Sequence, residues 1–153
     1  MLARRAALAI AVLAAGLTGC TAKTVSAPPI QIGTSYVPVP QSAGTTVAYV
    51  VIRNNGAADR LVSARTSAGG RVAFRAPAGR GDLTMHTIGS IAIPAHSTVA
   101  MVPDGYHMLI TGAGPIRGGK DITLTLVFAH AGQVPVVAQV TDPSTGGSSY
   151  FLN

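Results

Sequence analysis

Apolar and polar positions alternate with a period of two along much of this chain. The clearest stretch is 121–130, DITLTLVFAH, where Ile122, Leu124, Leu126 and Phe128 fall on one side and Thr123, Thr125 and Val127 on the other. That period belongs to a β-strand, so the segment predicts a strand with one face in the core. Similar short runs predict strands at 30–36, 46–53, 60–66, 71–75, 83–88, 97–102, 106–111 and 134–140. Threonine and β-branched residues in TVAYVVIR suit a half-buried pleated surface. Gly, Pro, Asn and Asp punctuate the runs. NNGAAD at 54–59 is turn chemistry, because Asn and Gly tolerate positive φ. Pro103-Asp104-Gly105 predicts a tight hairpin, and 112–120 (GAGPIRGGK) predicts a loop. No segment sustains a helical period. Short strands at regular spacing predict an all-β, immunoglobulin-like sandwich in a single domain.

The first twenty residues follow a different pattern. Arg4 and Arg5 precede an apolar run, AALAIAVLAA, which ends at Leu17-Thr18-Gly19-Cys20. A secretory signal has this layout, and the last four residues resemble a bacterial lipobox. The run is short for a membrane span, which needs roughly 20 apolar residues. The expected organisation is a signal peptide over 1–19, a lipidated Cys20 with a small, polar tether over 20–29, and the sandwich over 30–153. Palmitate-type acyl chains on Cys20 would place the protein on the extracytoplasmic face of the cell membrane. The tail after Pro143 is loose, with Tyr150 and Phe151 as candidates for packing back.

Composition narrows the partners. Removing Arg4 and Arg5 leaves nine basic residues against five aspartates, a net charge of +4, and glutamate is absent. The basic residues are scattered rather than clustered. Few aromatics are available for base stacking, so nucleic acid is not an expected partner. A weak attraction to an anionic membrane surface fits better. Cys20 is the single cysteine, so the domain has no disulfide. Catalytic signatures are missing: there is no Gly-x-Ser-x-Gly elbow, no paired carboxylates, and no glycine loop leading into a helix. Asp59 and Asp104 fall in turns, where Asp bonds the backbone. Together these argue against an enzyme.

The chemistry that remains is concentrated at 85–108. Met85–His86 and His107–Met108 are separated so that 21 residues lie between Met85 and His107. Thioether is a soft ligand and imidazole a borderline one, a pairing that favours Cu(I) over hard cations. Met85, His86, His107 and Met108 are therefore the candidate ligands, although residues adjacent on a strand point to opposite faces. Met101 reads as core, His96 as a solvated turn residue, and His130 as a hairpin-end residue.

Three blocks, AYVVIRNNGAADRLVSARTSAGGRV, IPAHSTVAMVPDGYHMLITG and LTLVFAHAGQVPVVAQV, resemble in order the PCu(A)C family of extracytoplasmic copper chaperones. The resemblance covers roughly 45–141. It implies a cupredoxin-like β-sandwich that carries copper, mainly Cu(I), towards cytochrome c oxidase. The family's ligands are a His, a Met about eleven residues later, and a His-x-Met after a further gap of about 21 residues, a soft donor set. Met85 and His107 match the second and third positions. Phe74 and Arg75 stand near the first, and Leu109 stands at the last, with Met108 one place early. Two functions remain open. One is a lipid-anchored Cu(I) chaperone using Met85 and His107, with His86 or Met108 assisting, that delivers copper to a recipient protein. The other is a non-metal scaffold, adhesion or assembly lipoprotein that keeps the sandwich.

Overall fold

The computed structural model describes residues 28–79 and 82–142. The expected signal, Cys20, most of the tether and the Tyr150–Phe151 tail lie outside the described residues. Ten strands follow in chain order: β1 (Ile30–Pro38), β2 (Thr45–Asn54), β3 (Asp59–Thr66), β4 (Arg71–Gly79), β5 (Asp82–Ile88), β6 (Ile91–Ile93), β7 (Ser97–Ala100), β8 (His107–Thr111), β9 (Asp121–Phe128) and β10 (Gly132–Thr141). They form one continuous sheet in the order β5-β4-β8-β2-β1-β10-β9-β3-β6, with β7 also paired to β2. The sheet folds over on itself, so β3 touches β4 without being its hydrogen-bonded neighbour. The fold is the expected all-β sandwich.

β2 makes the fold-over. Its first half pairs with β8, and its second half pairs with β7. Ala48, Tyr49 and Val50 are buried in succession between those halves. Strict alternation would expose one of the three, so both faces are covered where the strand passes between layers. Elsewhere alternation holds. Ile122, Leu124, Leu126 and Phe128 are all buried, as their period predicts. They pack with Leu61, Ile91, Ile93, Ile52 and Ile110 in one core.

One expectation about a connection and one about the end of a strand need correction. The turn at Pro103–Gly105 closes, with Gly105 N–H donating to Val102 O at 3.0 Å and Val102 N–H to Tyr106 O at 3.0 Å. The flanking strands do not pair with each other, however; both pair with β2, at different heights. The turn thus carries the chain from one layer to the other. β6, only three residues long, had no separate signal in the sequence, and β4 runs on to Gly79 rather than ending at 75.

Polar residues are buried where they tie loops down. The Asn54 side chain accepts Gly56 N–H at 2.9 Å and donates to Ala57 O at 2.7 Å and Pro94 O at 3.1 Å. Buried Asp59 accepts the N–H groups of Arg60, His130 and Ala131 at 2.7, 3.0 and 2.9 Å. One aspartate thereby pins the β9–β10 turn to the start of β3.

Candidate metal centre

The register of three strands decides which candidate ligands can meet. β4 lies between β5 and β8, and Arg75 sits opposite both Thr87 and His107. Pro77 is opposite Met85, Ala76 opposite His86, and Phe74 opposite Met108. Residues directly opposite in an antiparallel ladder share a face, as do residues two apart on one strand. Met85, Thr87, Arg75, Pro77, His107 and Leu109 therefore lie on one face. His86 and Met108 lie on the other, with Phe74 and Ala76.

Burial does not follow the faces: His107 is itself buried, at 9% exposure, and Met85 is half-buried on the shared face. Met108 is fully enclosed, at 0% exposure, among core side chains. His86 is exposed on edge strand β5. The structure thus brings Met85 and His107 to a common face across β4 and does not bring His86 or Met108 to them. Met108 is a packing residue, because alternation turns it to the opposite face of β8 from His107, where it joins the core. Met101 is buried, as expected, and His96 is an exposed turn residue with φ 50°.

His107 is held in a form suited to ligation. Its Nδ1 lies 3.2 Å from Gly105 O. A carbonyl only accepts, so Nδ1 carries the proton, and Nε2 of the neutral ring keeps its lone pair. A backbone carbonyl behind a ligating imidazole is a common way to fix its tautomer and orientation. The ring lies against Tyr49 with centroids 6.2 Å apart, and Tyr49 in turn packs against Tyr36 at 4.9 Å. Burial, and then the Asp104 carboxylate, push the Tyr49 phenol up. Burial and then Tyr49 do the same to Tyr36. Both rings stay neutral and form a stiff backing for the imidazole. Beside them is an open cavity of ≈ 450 Å³ with a mixed lining, apolar at Val47, Tyr49 and Leu109 and polar at Gln41, Ser42 and Thr46.

Arg75 occupies the row between the two candidate donors. Its guanidinium donates to Thr87 Oγ1 at 2.8 Å and to Met85 O at 2.5 Å. The sequence placed Arg75 near the missing first His but gave no sign that it would lie beside Met85. Tyr49 and Gly105 also escaped the sequence reading, since neither carries a ligand side chain. Among the described residues no three His, Cys, Asp or Glu side chains group as a metal site. The donor set on the shared face is one thioether sulfur and one imidazole nitrogen, which suits a soft monovalent ion.

The fold defines the class. It matches the copper-bound PCuAC domain from PmoF2 with a TM-score of 0.65 at 25% identity, covering 75% of this chain and 94% of that one. It matches the solution structure of CuI-DR1885 from Deinococcus radiodurans with a TM-score of 0.62 at 24% identity, covering 77% and 81%. This is a PCuAC-type β-sandwich. A family profile described as "Putative lipoprotein LpqE-like" matches residues 30–140. "Putative lipoprotein Lxx21020" of Leifsonia xyli subsp. xyli (strain CTCB07) is 30% identical over 156 residues, covering 94% of this chain and 93% of that protein. The chain belongs to the LpqE-like lipoprotein family.

Proposed function

We propose that this chain is a lipid-anchored protein of the extracytoplasmic membrane face that binds Cu(I) through Met85 and His107. It passes the ion to a recipient, a membrane metalloenzyme such as cytochrome c oxidase. The observation that carries this reading is the shared face of Met85 and His107, with His107 Nδ1 tied to Gly105 O so that Nε2 is the free donor. Copper binding by the PCuAC domain from PmoF2 supports the cargo, and the lipoprotein relatives support attachment through Cys20. A two-donor set leaves coordination positions for the recipient's ligands, which favours transfer over storage. The role is non-enzymatic. The buried carboxylate of Asp59 is taken up by backbone N–H groups and serves structure.

A second reading, a scaffold lipoprotein without metal, draws on two observations. The guanidinium of Arg75 sits beside Met85, and Leu109 offers no sulfur on the shared face. Anaerobic Cu(I) titration of the full chain in detergent, against a competing chelator, separates the two. The expected result is one Cu(I) per chain, with affinity lost in the Met85→Leu, His107→Ala double variant. Equal affinity in that variant would sink the site, and no binding by the wild type would leave the scaffold.

A further inference from the structure

The face that holds Met85 and His107 also holds a permanent positive charge. Arg75 is on the same face and directly opposite His107 in the ladder. Its guanidinium is fixed at two points on β5, by Met85 O and Thr87 Oγ1. One of those anchors is the carbonyl of the very residue whose thioether is the candidate donor. The charge therefore lies within a side chain's length of the sulfur, inside the roughly 10 Å over which salt at about 0.1 M leaves charges coupled. Guanidinium cannot give up its proton under any ordinary condition. Asp104, in the turn three residues before His107 and close enough to act on the Tyr49 phenol, offsets part of this field.

We propose that Arg75 is a specificity residue, a fixed cation that reserves the Met85–His107 site for a monovalent ion. The inference rests on the copper reading above and adds the charge state that the site admits. Coulomb repulsion scales with the charge of the bound ion, so a divalent ion meets about twice the penalty of a monovalent one at the same place. In fold-change terms, the factor by which Arg75 weakens a divalent ion is about the square of the factor for a monovalent ion. Ligand softness already disfavours Zn²⁺. Softness alone does not exclude Cu(II), which imidazole binds well, and there the charge of Arg75 makes the difference. Asp104 acts with the opposite sign and more weakly, being an exposed turn residue.

The test compares the full chain in detergent with its Arg75→Gln and Arg75→Lys variants. Cu(I) affinity is measured anaerobically and Cu(II) affinity aerobically, each against a chelator. The Cu(II) component is taken as the part lost on adding His107→Ala. Following each ion against itself across the substitution cancels the contribution of softness. The expected result for Arg75→Gln is a rise of about threefold for Cu(I) and about tenfold for Cu(II), with the gap narrowing as sodium nitrate is added. Arg75→Lys keeps the charge and should stay near wild type for both ions. Equal shifts for the two ions, no shift in either, or an Arg75→Lys protein that behaves like Arg75→Gln would overturn the proposal, the last by assigning Arg75 to hydrogen bonding along β5. Thermal melts of both variants show whether β5 has stayed in place. A wild type that binds no Cu(I) refutes the copper reading itself, whereas Cu(I) binding with unchanged selectivity refutes only the role of Arg75.

Discussion

Methionines 85 and 108 show how one residue type takes two roles. Met85 is half-buried on the outer face of β5, and Met108 is sealed in the core. Leu nearly conserves Met volume, so either Met→Leu change should cost less than about 1.5 kcal/mol in stability. Met85→Leu is expected to weaken Cu(I) binding while Met108→Leu leaves it unchanged, as chelator competition would show; the reverse order would put the site on the other face. The spacing of Met85 and His107 was legible in the sequence, and so was the alternation that puts Met108 on the opposite face of its strand from His107; that both are buried was not. The tautomer of His107 was not, because it depends on where the Gly105 carbonyl points in the folded turn. Asp59 was legible only as a turn residue, since the backbone groups it binds at His130 and Ala131 are far away in sequence. Burial pushes its carboxyl up, but the N–H groups of Ala131, Arg60 and His130, with the His130 ring at 3.2 Å, outweigh this and hold it below the ordinary carboxylate value. A depressed folded value means that Asp59 contributes stability above the unfolded value and loses it as pH falls through the folded one. Asp59→Asn should therefore cost about 1.5–3 kcal/mol at neutral pH. In urea melts the gap to wild type should close as the pH falls below the carboxylate range; a gap constant with pH would mean that the charge of Asp59 contributes nothing.

At the scale of elements, a period of two reports which residues face inward but not which strands are partners. The inner face of β9 was legible, because its inner residues alternate without a break, although the strand ends at Phe128 rather than at 130. Phe128, at 2% exposure, fills the core where β9 meets β3 and β10. Phe128→Ala should cost about 3–5 kcal/mol, the range for a large buried side chain that leaves a cavity. A loss below about 0.5 kcal/mol in a denaturant titration would match a surface position instead. β7 and β8 were legible as strands yet not as the two separate neighbours of β2. Pairing across the sandwich is set by the long β2 crossing between layers, and that crossing shows in sequence only as unbroken apolar character at Ala48, Tyr49 and Val50. β4 extends through Ala76, Pro77 and Ala78, residues poor in strand propensity, because β5 pairs with it there, beyond the end of its ladder with β8 at Arg75. Tertiary context overrides local preference there. The candidate site depends on this extension, since Pro77 lies opposite Met85 and continues the face on which Arg75 and His107 stand.

At the scale of the whole molecule, the sandwich begins at Ile30, ten positions after Cys20. Nine residues of tether, 21–29, reach at most about 30 Å when extended. A lipid on Cys20 would thus keep the domain within roughly its own diameter of the bilayer, so that a carrier meets a membrane recipient by lateral diffusion. A chain cut before Cys20 would carry a net charge of +4 and be drawn to anionic lipid as well, but that attraction would be screened by salt whereas acyl burial, about 0.8 kcal/mol per methylene, would not. The two contributions separate experimentally. Wild type is expected in the membrane fraction after a wash in 1 M salt, and Cys20→Ser is expected either uncut at the signal or released. Release of the wild type by salt alone would make the attachment electrostatic. A Cys20→Ser protein that is retained and processed like the wild type would show that residues 1–19 or the domain itself hold the membrane without lipid. Because Cys20 lies outside the candidate site, Cu(I) affinity in detergent should be the same in both proteins. Delivery to a membrane recipient should fall in the variant, so anchoring and metal binding can fail independently and be told apart.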